Sequence, residues 1–129
     1  MATIQFDLVS PERKLASLEA TEIHIPGSEG DFTAMADHAP LLTTLRPGMV
    51  KVVAGSVVTE YVVTGGFVEI SGTTASVLAE HAIPKSEVTE DTINALVEAA
   101  EEAAKGTQGA EKDVADKCVA DTKALLALI

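Results

Sequence analysis

Tryptophan is missing from this 129-residue chain, and aromatic residues make up only 3% of it. A site that stacks bases or sugars on rings is not expected, and the core must be aliphatic. Cations are also scarce: 9 Lys and Arg stand against 20 Asp and Glu, a formal net charge of −11. Such a chain repels phosphate backbones and anionic lipid, so neither nucleic acid nor a bare membrane is an expected partner. Basic or neutral proteins remain open. With Cys118 as its single cysteine, the chain cannot form an internal disulfide. No run of about 18 apolar residues occurs, so no membrane-spanning helix is expected. The opening "MATIQFDLV" has neither a basic region nor a long apolar one, so it does not read as a signal peptide.

What is present changes character along the chain. Hydrophobic residues make up 47% of it, enough for a core. Ile4, Phe6 and Leu8 alternate with Gln5 and Asp7, and Ile23 and Ile25 flank His24, as in half-buried strands. Val50, Val52, Val57, Val58, Val62 and Val63 crowd two runs on either side of "AGS"; "GGFVEIS" and "TASVLAE" follow. Turn residues separate the runs at "SPE", "PGSEG", "RPG", "TGG" and "SGT". The pattern predicts an antiparallel β-sandwich of about ten short strands over residues 1–84.

After Pro84 the period lengthens. Thr89 is placed to cap a helix, with Glu90 and Asp91 in its first turn. Ile93, Leu96, Val97, Ala100 and Ala104 fall on one helical face. "KGTQGA" then breaks the helix. A second helix is expected, with Val114, Cys118, Leu125 and Ile129 near one face and Ala115, Val119, Thr122 and Leu126 beside them. Residues 85–129 thus read as an antiparallel two-helix hairpin, thinly apolar and in need of a surface to dock on.

Candidate chemistry is sparse. His24, His38 and His81 are scattered, whereas a metal site needs converging ligands, so no metal is expected. Asp37 and His38 are adjacent and point to opposite sides on extended chain. No activated nucleophile accompanies them. Catalysis by His38 is therefore the weak rival reading. No phosphate loop and no calcium loop occur. Cys118, on an apolar helical face, reads as a small buried hydrophobe.

"IPGSEGDFTAMADHAPLLTTLRPGMV", "GGFVEI" and "VLAEHA", in that order before a helical hairpin, resemble the epsilon subunit of bacterial F-type ATP synthase. "FDLVSPERKL" fits as well, so the resemblance spans residues 3–84. It implies a non-catalytic, cofactor-free rotor subunit of a proton-translocating complex. The subunit would link the gamma subunit to the c-ring at the cytoplasmic face of the bacterial inner membrane, held there only through the complex. Ser10, His38, Ala39, Pro40, Leu42 and Thr43 would face gamma, and Ser28, Glu29, Gly30 and Asp31 would meet the c-ring. The alpha and beta subunits would be reached through the C-terminal helices.

The hairpin departs from family members that bind ATP, which carry a motif of the form I/L-D-x-x-R-A. Here the aligned stretch is "VTEDTI", with Thr92 at the Arg position and Ile93 at the Ala position; Glu98 lies where a basic cluster is usual. No nucleotide site and at most weak modulation of ATP hydrolysis are therefore expected. The alternative of another class is a stand-alone protein-binding sandwich with a helical oligomerisation arm.

Overall fold

A computed structural model describes residues 3–36 and 39–128. Eight strands lead into two helices. The strands are β1 (Ile4–Val9), β2 (Lys14–Ala20), β3 (Glu22–Gly27), β4 (Gly30–Met35), β5 (Leu41–Thr44), β6 (Gly48–Ala54), β7 (Val57–Ser71) and β8 (Thr74–Pro84). The helices are α1 (Glu90–Ala104) and α2 (Ala110–Ala124). A one-turn 3₁₀ segment, Lys85–Glu87, precedes α1, and another, Leu125–Leu128, follows α2.

The alternation of "IQFDLV" is realised directly: Ile4, Phe6 and Leu8 are fully buried. β1 pairs β2 antiparallel and β8 in parallel. The strand order is β2-β1-β8-β7-β6-β3-β4, with β5 added against β7. Two features differ from the sequence expectation. Among the described residues there are eight strands instead of about ten, and one pairing is parallel.

The count falls because "TGG" is not a turn. β7 runs straight through it, with Gly65 at φ +64° and Gly66 at φ +103°. A Cβ on Gly66 would lie 2.0 Å from the Leu78 carbonyl oxygen, so only glycine fits. At this corner β7 changes partner. Residues before it pair β6, from Ala54↔Val57 to Gly48↔Val63. Residues after it pair β5, from Thr44↔Phe67 to Leu41↔Ile70. β8 follows β7 on both sides of the corner.

Two layers result. β5, the end of β7, the start of β8, β1 and β2 make one. The start of β7, the end of β8, β6, β3 and β4 make the other. Phe6, Leu8, Val68, Ile70 and Val77 from the first layer pack with Ile23, Ile25, Val50, Val52, Tyr61 and Val63 from the second.

The hairpin packs on the outside of the second layer. Met49, Val62 and Ile83 form one outward row by register. Val62 is buried in a cluster with Ile93, Val97 and Leu125, flanked by Met49, Val88 and Leu96. Ile93 starts α1 and Leu125 follows the end of α2, so the helices are antiparallel.

Thr89 caps α1 as expected. Its hydroxyl accepts from the Thr92 amide at 3.2 Å, and the Thr92 hydroxyl accepts from the Thr89 amide at 3.4 Å. The inward side of α2 and the turn after it draws on both expected stripes, not on the first alone. Thr122 and Leu125 are buried, while Val114 is 71% exposed. Cys118 is half-buried, not buried. Thr122 tolerates burial because its hydroxyl donates to the Cys118 carbonyl at 2.7 Å.

Candidate functional site

The hairpin lies over the second layer, and the outward side of the first layer stays open. Register defines that open face. In one row Leu42, Glu69, Ser76 and Asp7 are cross-strand neighbours. Two residues along lies the row Thr44, Phe67, Leu78 and Val9. Leu42 is 68% exposed, Phe67 48% and Leu78 44%. Val9, Pro11, Phe67 and Leu78 line a shallow concavity of about 350 Å³. Leu41 and Leu42 divide as alternation requires: Leu41 sits opposite the buried Ile70, and Leu42 opposite the exposed Glu69.

The residues expected to face gamma are distributed unevenly over this surface. Ser10 sits at the β1–β2 turn, where its hydroxyl donates to the Arg13 carbonyl at 3.3 Å and accepts from the Arg13 amide at 3.4 Å. Ala39 and Pro40 are exposed just ahead of β5. Leu42 stands on the open face. Thr43 has the opposite parity, faces Val68 across the pairing, and lines a pocket with Leu41, Glu29 and Asp31. His38 lies outside the described residues.

Ser28, Glu29, Gly30 and Asp31 are gathered and exposed at the β3–β4 turn. Gly27 pairs Gly30, which closes a two-residue turn. A Cβ on Gly27 would lie 2.7 Å from the Gly30 carbonyl oxygen. The turn is stitched to the end of β5. The Ser28 amide donates to the Thr44 carbonyl at 2.9 Å, and the two hydroxyls lie 2.6 Å apart. Asp31 is ion-paired with Arg46. Glu29 has no hydrogen bond or ion pair among the described residues, so it is the uncommitted carboxylate of this turn.

Elsewhere, His24 and Asp7 are held within the fold. His24 bridges Glu22 at 3.0 Å and Thr33 at 3.1 Å. Asp7 has a lowered pKa, chiefly because the Ser17 hydroxyl donates to it; burial opposes this, and Gln5 and Lys14 add to it. Lys14 lies 3.6 Å from Asp7. Among the described residues no group of three or more His, Cys, Asp or Glu converges as metal ligands would. No helix of the described residues is long and apolar enough to cross a membrane. Thr92 spends its hydroxyl on the α1 cap.

Phe67, Leu78 and Glu69 were not singled out from the sequence. The signal was parity: Val68 and Ile70 are the inward pair of "FVEI", so Phe67 and Glu69 must point out.

These features define a class: a two-layer β-sandwich with an appended helical hairpin and an open, apolar-centred sheet face. The family model "ATP synthase, Delta/Epsilon chain, beta-sandwich domain" matches residues 3–85. The chain is 52% identical over 121 residues to the ATP synthase epsilon chain of Jannaschia sp. (strain CCS1), covering 94% of this chain and 92% of that one. It is 52% identical over 126 residues to the epsilon chain of Fuscovulum blasticum, covering 98% and 95%. Its fold matches a chain in the mitochondrial ATP synthase of Euglena gracilis, solved as OSCP/F1/c-ring in rotational state 1. That match has TM-score 0.74 at 21% identity, over 99% of this chain and 82% of that chain. The chain belongs to the delta/epsilon family of F-type ATP synthase subunits, as an epsilon-type, non-catalytic member.

Proposed function

We propose that this chain is a rotor subunit of the central stalk, joining the gamma subunit to the c-ring of a proton-translocating ATP synthase. The open face of the first layer is the gamma-docking surface. Ser10, Ala39, Pro40 and Leu42 belong to it, and Phe67 and Leu78 extend it; His38 is assigned to the same surface from its sequence position. The β3–β4 turn, with Ser28, Glu29, Gly30 and Asp31, meets the c-ring. Thr43 acts at second hand, supporting that turn instead of touching gamma. The subunit sits at the cytoplasmic face of the membrane and is held there by the complex alone. Through its C-terminal helices it reaches the alpha and beta subunits and modulates ATP hydrolysis weakly.

One observation carries the reading. A folded sandwich covers one outer face with its own hairpin and leaves Leu42, Phe67 and Leu78 together in water on the other. Apolar side chains clustered within a polar rim are the anatomy of a protein interface. Truncating a central anchor of such an interface costs about 2 kcal/mol or more. Leu42→Ala is therefore expected to weaken binding to gamma while the thermal unfolding midpoint stays put. Unchanged affinity would move the gamma contact off this face.

A further inference from the structure

We infer that Glu69 is the charged recognition point of the open face, and that the docking partner sets a Lys or Arg side chain against it. This rests on the reading of that face as the gamma surface. Glu69 borders the apolar patch, against Leu42 and Phe67, with the polar row of Ser71 and Thr74 beyond it. Leu42 is its cross-strand neighbour on β5, and Ser76 its neighbour on β8. Phe67 stands two residues along on the same side of β7, and Leu78 is directly across from Phe67. A partner that covers Leu42, Phe67 and Leu78 must cover Glu69 too.

The fold offers Glu69 nothing. Among the described residues its carboxylate has neither a hydrogen bond nor an ion pair, and the side chain is exposed. Asp7 makes the contrast. It lies in the same row two strands away, at about 10 Å by strand spacing. Its charge is settled within the molecule by Ser17, Gln5 and Lys14. One carboxylate of the row is thus compensated internally, and the other is left for water.

Docking removes that water. A carboxylate desolvated without a cation opposes association strongly. A partner seated stably on this patch therefore carries its own cation at that point. Arg suits it best, because its planar fork can engage both carboxylate oxygens. The partner's complementary surface is an apolar stripe, matching Leu42, Phe67 and Leu78, interrupted by one basic side chain. The same charge supplies selectivity: an apolar or acidic surface of similar shape would be rejected.

The test measures binding of the full-length chain to the gamma-containing catalytic complex. Four variants are compared: Glu69→Gln, Glu69→Lys, Leu42→Ala and Phe67→Ala. Glu69→Gln is expected to weaken binding by roughly thirtyfold or more, chiefly through faster dissociation. Glu69→Lys is expected to be worse, and to regain affinity when one Lys or Arg of gamma is reversed to Glu. Because Glu69 is exposed, both variants should keep the wild-type melting temperature.

If Leu42→Ala and Phe67→Ala weaken binding while both Glu69 variants stay within about threefold of wild type, the inference is wrong and the docking face stands. If all four bind as wild type does, the docking reading fails and takes the inference with it.

Discussion

The sandwich and the hairpin are held together by unequal means. Among the described residues, eighteen buried side chains from both layers form one continuous cluster in the sandwich. Among the described residues four buried side chains form the cluster beneath the hairpin, and three of those, Ile93, Val97 and Leu125, belong to the hairpin itself. The sandwich contributes Val62, flanked by Met49. One region is closed on its own account; the other is attached along a single row. In a rotor subunit this division gives a rigid coupling block and a separable arm. On the proposed function docking falls to the block, which offers an open face, while the arm offers mostly charge.

The comparison is broken most severely at the corner of β7. Gly66→Ala forces a side chain into the Leu78 carbonyl at a positive φ. Backbone strain and the clash together should cost about 3 kcal/mol or more. Urea unfolding followed by far-UV circular dichroism is expected to show a lower midpoint for the whole sandwich. A neutral Gly66→Ala would mean that the corner can relax, and that the two layers are less tightly joined than the register implies.

Next comes the hairpin's attachment. Ile93→Ala removes the fully buried side chain at the start of α1 and should cost about 2–4 kcal/mol of docking free energy. Amide exchange is expected to speed up through α1 and α2 by roughly thirtyfold or more, while β1 and β7 keep their protection. Equal loss in strands and helices would make the protein one cooperative unit and erase the distinction.

The arm's effect on catalysis is smaller. From Lys85 onward the chain has five Lys against ten Asp and Glu. An arm with that excess of negative charge is repelled by any acidic surface it meets, and binds neutral ones only through its thin apolar stripe. Ending the chain at Pro84 should raise ATP hydrolysis by the complex less than about threefold, a barrier change of about 0.65 kcal/mol or less. A tenfold rise would show that apolar contacts of the arm overcome its charge.

The smallest effect belongs to Asp7 on the open face. Its folded pKa lies below the ordinary value of 3.8. The stabilisation is thus full above the ordinary carboxylate range and is lost as pH falls through the lowered native value. Asp7→Asn should cost less than about 0.5 kcal/mol near neutrality, since solvent screens the pair. The gap between the two proteins should close in acid. A gap that widened in acid would reverse the sign.

Much of this architecture was legible in the sequence, because alternation reports which side of a strand is buried. Ile4, Phe6, Leu8, Ile23 and Ile25 are all in the core, as their spacing demands. Alternation does not report which strands pair. The parallel contact of β1 with β8 joins residues about seventy positions apart and leaves no local mark. The merging of two runs into β7 was hidden because Gly-Gly reads as a turn unless the surrounding strands need a corner there. On α2, Thr122 and Leu125 come from different stripes and are both buried, because two apolar stripes this thin leave the inward face between them.

Of the candidate site, the β3–β4 turn was readable from turn chemistry, while Leu42 entered through the family resemblance. The patch of Phe67, Leu78 and Glu69 was not readable, because it exists only after β5, β7 and β8 are placed side by side.

The central claim is that the open sandwich face alone carries attachment to the stalk. The direct measurement is calorimetric titration of gamma with the full-length chain and with residues 1–84. Cooperative unfolding of the shorter chain is checked first, since truncation bares Val62 and Met49. The account predicts dissociation constants equal within about threefold. A shorter chain that unfolds cooperatively yet no longer binds gamma would contradict it and move the attachment to the hairpin.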